Sequence, residues 1–148
     1  MNSQTIYFDM DGTIANLYGV ENWLPQLQAA NPAPYAKAAP LLKLQPLARR
    51  LNKLQANGWK LGIVSWLCKN GSKEYDKAVT ETKLDWLKKH MGSVNWDEIH
   101  IVEYGTPKEK IVNNPQGILF DDEKRNRDNW KGKAYNEKNI MQVLKAVS

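Results

Sequence analysis

Four short runs of the sequence end in groups that can do chemistry. Ile6-Tyr7-Phe8 leads straight into Asp9-Met10-Asp11-Gly12-Thr13, and Leu61 to Val64 leads into Ser65. Ile118-Leu119-Phe120 leads into Asp121-Asp122, and the segment "TPKEKIV" carries Lys108. Asp and Gly are poor strand residues, and carboxylates one residue apart repel each other, so something must compensate. If these runs end at one edge of a sheet, four carboxylates share a crevice, and they coexist there only around a cation. A few hard oxygen ligands with room for water and phosphate suit Mg²⁺. No His or Cys cluster has zinc spacing. A divalent ion and Lys108 together would trap a phosphoryl group, whose transfer depends mainly on positioning and charge neutralisation.

Elements that bring these ends together are legible in the hydrophobic pattern. Ile6–Phe8, Leu61–Val64, Ile99–Glu103 and Ile118–Phe120 read as short buried strands, and Lys133-Ala134-Tyr135 supplies a fifth. Between them lie amphipathic helices. One carries Leu47, Leu51 and Leu54, with Pro46 in its first turn and Asn57-Gly58 at its end. A second spans about Lys73 to His90, capped by Ser72 and stopped by Gly92, with Ala78, Leu84, Leu87 and Met91 on or near one face. A helical turn is expected from Pro107 and a short helix over Asn126–Trp130. A last helix over Asn136–Val147 has Ile140, Val143, Leu144 and Val147 in register. Strands alternating with helices predict an α/β fold: an open, Rossmann-like parallel sheet flanked by helices. Ligands of such sheets bind beyond the carboxyl ends of the strands, where the polar residues above sit. The expectation is one domain over 1–148 with a small cap insertion over 14–44. Pro25, Pro32, Pro34 and Pro40 break that insertion into short helices and turns.

"DMDGT", "IVSW", "TPKEKIV" and "ILFDD", in that order from Asp9 to Asp122, resemble the motifs of the haloacid dehalogenase (HAD) superfamily of phosphohydrolases. The resemblance implies a role for each residue. Asp9 would be the nucleophile that becomes an aspartyl-phosphate, and Asp11 the acid that protonates the leaving oxygen and then activates water. Ser65 would donate to a phosphate oxygen, and Lys108 would neutralise the phosphoryl charge and steady Asp9. Asp121 and Asp122 would hold Mg²⁺ with the Asp9 side chain and the Asp11 backbone carbonyl. Which of the pair touches the metal stays open, as does the choice between Lys108 and Lys110. The dehalogenase branch lacks the second aspartate, so Asp11 points to phosphate chemistry. The compact layout is loosely similar to 5'(3')-deoxyribonucleotidases, which makes nucleoside monophosphates the leading substrate class.

Composition sets the frame. The chain has 148 residues, enough to bury a core unaided, and a net charge of +5. Its lysines are scattered, so a solvated surface is favoured over a nucleic-acid footprint; a basic protein nonetheless attracts small phosphorylated substrates. No window approaches the roughly 18 apolar residues of a membrane span, and the opening residues show no leader pattern. The single cysteine, Cys68, excludes an internal disulfide, which suits a cytoplasmic location. It reads as a bystander, and His90 and His100 read as structural. Trp23 and Tyr35 either stack on a ring in the crevice or fix the insertion to the domain.

Other readings compete with a phosphatase. A receiver-type signalling domain has related groups, but it needs its acidic pair after the first strand and a lone Asp after the third, where this chain has "VEYG". A non-catalytic HAD-fold binding protein, or a phosphatase acting on nucleic-acid ends, would keep the fold and change the partner. Taken alone, Asp11-Gly12 is equally a tight turn, and Asp121-Asp122 equally a helix start.

Overall fold

The computed structural model describes residues 4–148, so residues 1–3 of the expected domain lie outside the description. Among the described residues, five parallel strands form the central sheet: β1 (Thr5–Phe8), β4 (Lys60–Trp66), β5 (Glu98–Val102), β6 (Ile118–Phe120) and β7 (Ala134–Tyr135), in the order β5-β4-β1-β6-β7. β1 is central. The chain leaves it toward β4 and β5 and then crosses back to β6 on its other side. That reversal opens a crevice beyond the ends of β1, β4 and β6.

The strands are apolar because both faces are covered. Ile6, Phe8, Leu61, Ile63 and Phe120 point into one core, while Tyr7, Val64 and Leu119 point into the other, as period-two alternation requires. The first core is closed by Leu47, Leu51 and Leu54 of α3 (Leu44–Ala56), Trp86, Leu87 and Met91 of α4 (Lys73–Met91), and Ile140 and Leu144 of α7 (Ile140–Val147). The second is thinner and rests on Val112 and Trp130, which follow the short α5 (Lys108–Ile111) and α6 (Lys124–Asn129). Each fully buried Leu or Phe contributes about 1.5–3 kcal/mol, most of it on the thicker side.

Several boundaries differ from the sequence reading. α3 starts at Leu44, so Pro46 is its third residue and the helix begins inside the expected 14–44 insertion. The buried stripe of α4 is Tyr75, Val79, Lys83, Trp86, Leu87 and Met91, whereas Ala78 and Leu84 are only half-buried. The short helix expected over Asn126–Trp130 begins earlier, at Lys124. The final helix opens with a 3₁₀ turn, Glu137–Asn139. The insertion contains α1 (Trp23–Gln28) and α2 (Ala33–Lys37), but also a small antiparallel ribbon of β2 (Ala15–Asn16) and β3 (Ala39–Pro40) that the prolines concealed. It is tied to α4 by Trp86 Nε1 donating to the Ala38 carbonyl (2.8 Å) and by the Tyr75 hydroxyl donating to the Asn31 carbonyl (3.1 Å).

Candidate active site

Strand β1 ends where the Asp9 N–H donates to the Phe120 carbonyl (2.9 Å), so the sheet itself fixes the first carboxylate. The chain then turns: the N–H groups of Thr13, Ile14 and Ala15 all converge on the Met10 carbonyl. Gly12 makes this turn at positive φ, where a Cβ would strike the Asp122 carboxylate and the Tyr18 ring. Thr13 latches the two carboxylate loops together. Its hydroxyl accepts from the Asp122 N–H (3.1 Å) and donates to Asp9 Oδ2 (3.0 Å).

Lys108 stands at the start of α5 and is 2 % exposed. Its ammonium donates to Asp9 Oδ1 (3.1 Å) and Asp121 Oδ2 (2.6 Å). Lys110, the competing candidate, is exposed. Burial alone would lower the Lys108 ammonium, but Asp9 and Asp121 outweigh it and hold the group above the ordinary lysine value. Asp121 is fully engaged: Oδ2 also accepts from Asn126 Nδ2 (3.1 Å), and Oδ1 accepts from the Glu123 N–H (2.9 Å). Asp122 is freer and more exposed.

Carboxylate oxygens of Asp9, Asp121 and Asp122 lie within 4.8 Å of one another. Burial, and then the charge of Asp9, pushes Asp121 up to about 6 and Asp122 up to about 8. One ammonium among three acids leaves an excess of negative charge, and every group offered is a hard oxygen. The site therefore fits a divalent cation of the Mg²⁺ type, which would relieve the repulsion that raises both values.

Asp11 stands outside the three-acid cluster. Its carboxylate, 16 % exposed, accepts at Oδ2 from Lys83 Nζ (2.9 Å), a contact the sequence reading did not anticipate. Burial raises Asp11 above the ordinary carboxylate value, against the pull of Lys83. Ser65 is buried to 0 % exposure, and its Oγ accepts from the same ammonium (2.8 Å). The signal for Lys83 was its spacing: it continues the stripe of Tyr75 and Val79 at four-residue steps.

Above the carboxylates is a cavity of about 280 Å³, lined by Asp9, Asp11, Lys108, Asp121 and Asp122. Its walls are apolar and aromatic, with Tyr18, Trp23 and Tyr35 from the insertion facing Trp66 and Tyr104 from the sheet side. The rings are paired edge-on or tilted: Tyr18 with Trp23, and Trp66 with Tyr104, each at 5.0 Å between centroids. Ser65 does not line this cavity. Cys68 lies at its rim, and His100 pairs with Glu98 (2.9 Å) on the edge strand.

The central parallel sheet, with acids after β1 and β6 and a lysine after β5, has the fold of two solved phosphatases. Among solved structures, the chain is similar to D,D-heptose 1,7-bisphosphate phosphatase from Burkholderia thailandensis, at 12 % identity and TM-score 0.51 over 84 % of this chain and 70 % of that one. It is also similar to D,D-heptose 1,7-bisphosphate phosphatase from B. bronchiseptica complexed with magnesium and phosphate, at 10 % identity and TM-score 0.52 over 94 % and 86 % of the two chains. No protein-family model matches the sequence, and comparison with curated proteins finds no match. Among the described residues, no helix is long and apolar enough to cross a membrane.

Proposed function

We propose that the protein is a Mg²⁺-dependent phosphomonoester hydrolase that works through an aspartyl-phosphate on Asp9. The observation that carries this reading is the convergence of Asp9, Asp121 and Asp122, oxygens within 4.8 Å, with the Lys108 ammonium on the floor of a cavity. Lys108 and Thr13 each hold one oxygen of Asp9, which fixes the direction in which the carboxylate meets phosphorus. An Asp9 oxygen forms a bond to phosphorus as the bond to the ester oxygen breaks, and Asp11 gives that oxygen a proton. Asp11 then takes a proton from the water that attacks phosphorus, freeing Asp9 and inorganic phosphate. Asp9, Asp122 and the Asp11 backbone carbonyl are the groups for Mg²⁺, with Asp121 behind them holding Lys108. When bound, the ion supplies charge that neutralises phosphoryl oxygens.

For the substrate we favour nucleoside monophosphates, because paired aromatic rings beside a phosphate site suit a flat base. Sugar phosphates are the second reading, favoured by the likeness to the two heptose bisphosphate phosphatases. Hydrolysis of a chromogenic phosphomonoester with Mg²⁺, abolished by EDTA, is the expected result; rates unchanged by EDTA would reject the metal. A panel of nucleotides and sugar phosphates ranks the two substrate classes.

A further inference from the structure

Lys83 lies in the middle of a 19-residue helix and is 1 % exposed. Its ammonium has three N–H donors, and three acceptors meet them. They are Asp11 Oδ2 at 2.9 Å, Ser65 Oγ at 2.8 Å and the Trp66 carbonyl at 2.8 Å. A buried ion pair of this kind is a poor device for stability, since apolar residues of similar size do as well. The ammonium also lies 5.1 Å from the centre of the Tyr35 ring, so it joins the insertion, β4 and the loop after β1. Lys83 does not line the cavity, whereas Asp11 does.

We propose that Lys83 is a positioning residue that aims Asp11 at the ester oxygen, with Ser65 and the Trp66 carbonyl as the anchors of the lysine. This rests on the phosphomonoesterase reading above and adds to it. The ammonium takes one carboxylate oxygen, Oδ2, and no donor among the described residues reaches Oδ1. Oδ1 is therefore the oxygen that carries the proton to and from the reacting group. Ser65 works through the lysine: its oxygen accepts from Lys83 at the end of β4, which fixes the ammonium against a rigid strand rather than a loop.

The test compares the wild-type protein with Lys83→Met, which keeps the length of the side chain and removes the charge. Each is assayed with Mg²⁺ on a series from dinitrophenyl phosphate through phenyl phosphate to an alkyl phosphate. A poor leaving group needs the proton from Asp11 and a good one does not. Lys83→Met should lower kcat/KM about 100-fold or more on the alkyl ester and less than about 10-fold on the dinitrophenyl ester. Inhibition by inorganic phosphate should change less than about 3-fold, because Asp9, Lys108 and the acid cluster are untouched. Ser65→Ala should shift the leaving-group slope in the same direction by a smaller amount. Equal losses across the series, or weakened phosphate inhibition with an unchanged slope, would overturn the proposal. If Lys83→Met gives no cooperative melt, the double variant Asp11→Asn with Lys83→Met, which removes both charges, is read against Asp11→Asn alone. Identical slopes support the assignment and a steeper one overturns it. A wild-type protein inert to every ester would instead sink the phosphatase reading, so the two failures are distinct.

Discussion

Two buried ammonium groups serve this site, and they are placed differently. Lys108 bridges two carboxylates, Asp9 and Asp121, delivered by neighbouring strands, and it lines the cavity. Lys83 meets a single carboxylate and two neutral acceptors, and it stands behind the wall. The first opens onto the cavity; the second reaches it only through Asp11. The crevice beyond the sheet thus gathers acids from two strands and draws its cations from outside the sheet, one from a short helix after a loop and one from the flank of a long helix. Asp9 and Asp11 are held by separate cations, so under the proposed function substitutions should damage nucleophilic attack and proton transfer separately.

The largest effect is expected at the nucleophile. Asp9→Asn keeps the shape and should lower turnover about 10³-fold or more while leaving the thermal melt in place. Retained turnover would contradict the role given to Asp9. Next comes Lys108→Met, which strands Asp9 and Asp121 together. It should cost about 3–5 kcal/mol in urea denaturation without metal. Lys83→Met should cost less, because it strands only Asp11, whose carboxylate still reaches solvent. The reverse order would break the comparison between the two lysines.

The acid cluster gives a pH signature. Asp121 and Asp122 sit above the ordinary carboxylate value in the folded, metal-free protein, because of burial and then Asp9. Between that ordinary value and the raised ones the folded state binds more protons than the unfolded one. Stability without metal should therefore fall as pH rises from about 4 to 8, and Mg²⁺ should raise the melting temperature more at the upper end. Calorimetry with EDTA and with Mg²⁺ reads both; a metal-independent melt at the upper end would contradict the cation site. The smallest effect belongs to Lys110→Ala, which should leave activity within about twofold, because that side chain is exposed and Lys108 holds the pair.

The strand ends were the legible part of the molecule. β1, β4 and β6 are buried on both faces, so they show as apolar runs that stop abruptly at Asp9, Ser65 and Asp121, and the parallel sheet follows from the helices between them. The motif order narrowed the lysine to Lys108 or Lys110, and burial, which one helical step of sequence does not reveal, separates them. Lys83 was not legible, because a lysine among Glu81, Thr82 and Asp85 reads as a solvated helix face unless the apolar stripe is followed through it. Ala78 and Leu84 flank the stripe, whereas Val79 and Trp86 lie in it, because the buried face passes through Lys83. The ribbon of β2 and β3 escaped because two-residue strands have no measurable period, and Pro40 in one of them argues against a strand everywhere except at an edge.

The proposed chemistry requires phosphate to pass through Asp9. Acid quenching of the wild-type protein during turnover of a phosphomonoester with Mg²⁺, followed by mass spectrometry of its peptides, tests this directly. A phosphoryl group on the peptide containing Asp9, absent when Mg²⁺ is withheld and absent in Asp9→Asn, is the predicted result. A phosphoryl group on a different residue, or steady turnover in Asp9→Asn with no modified peptide, would contradict it.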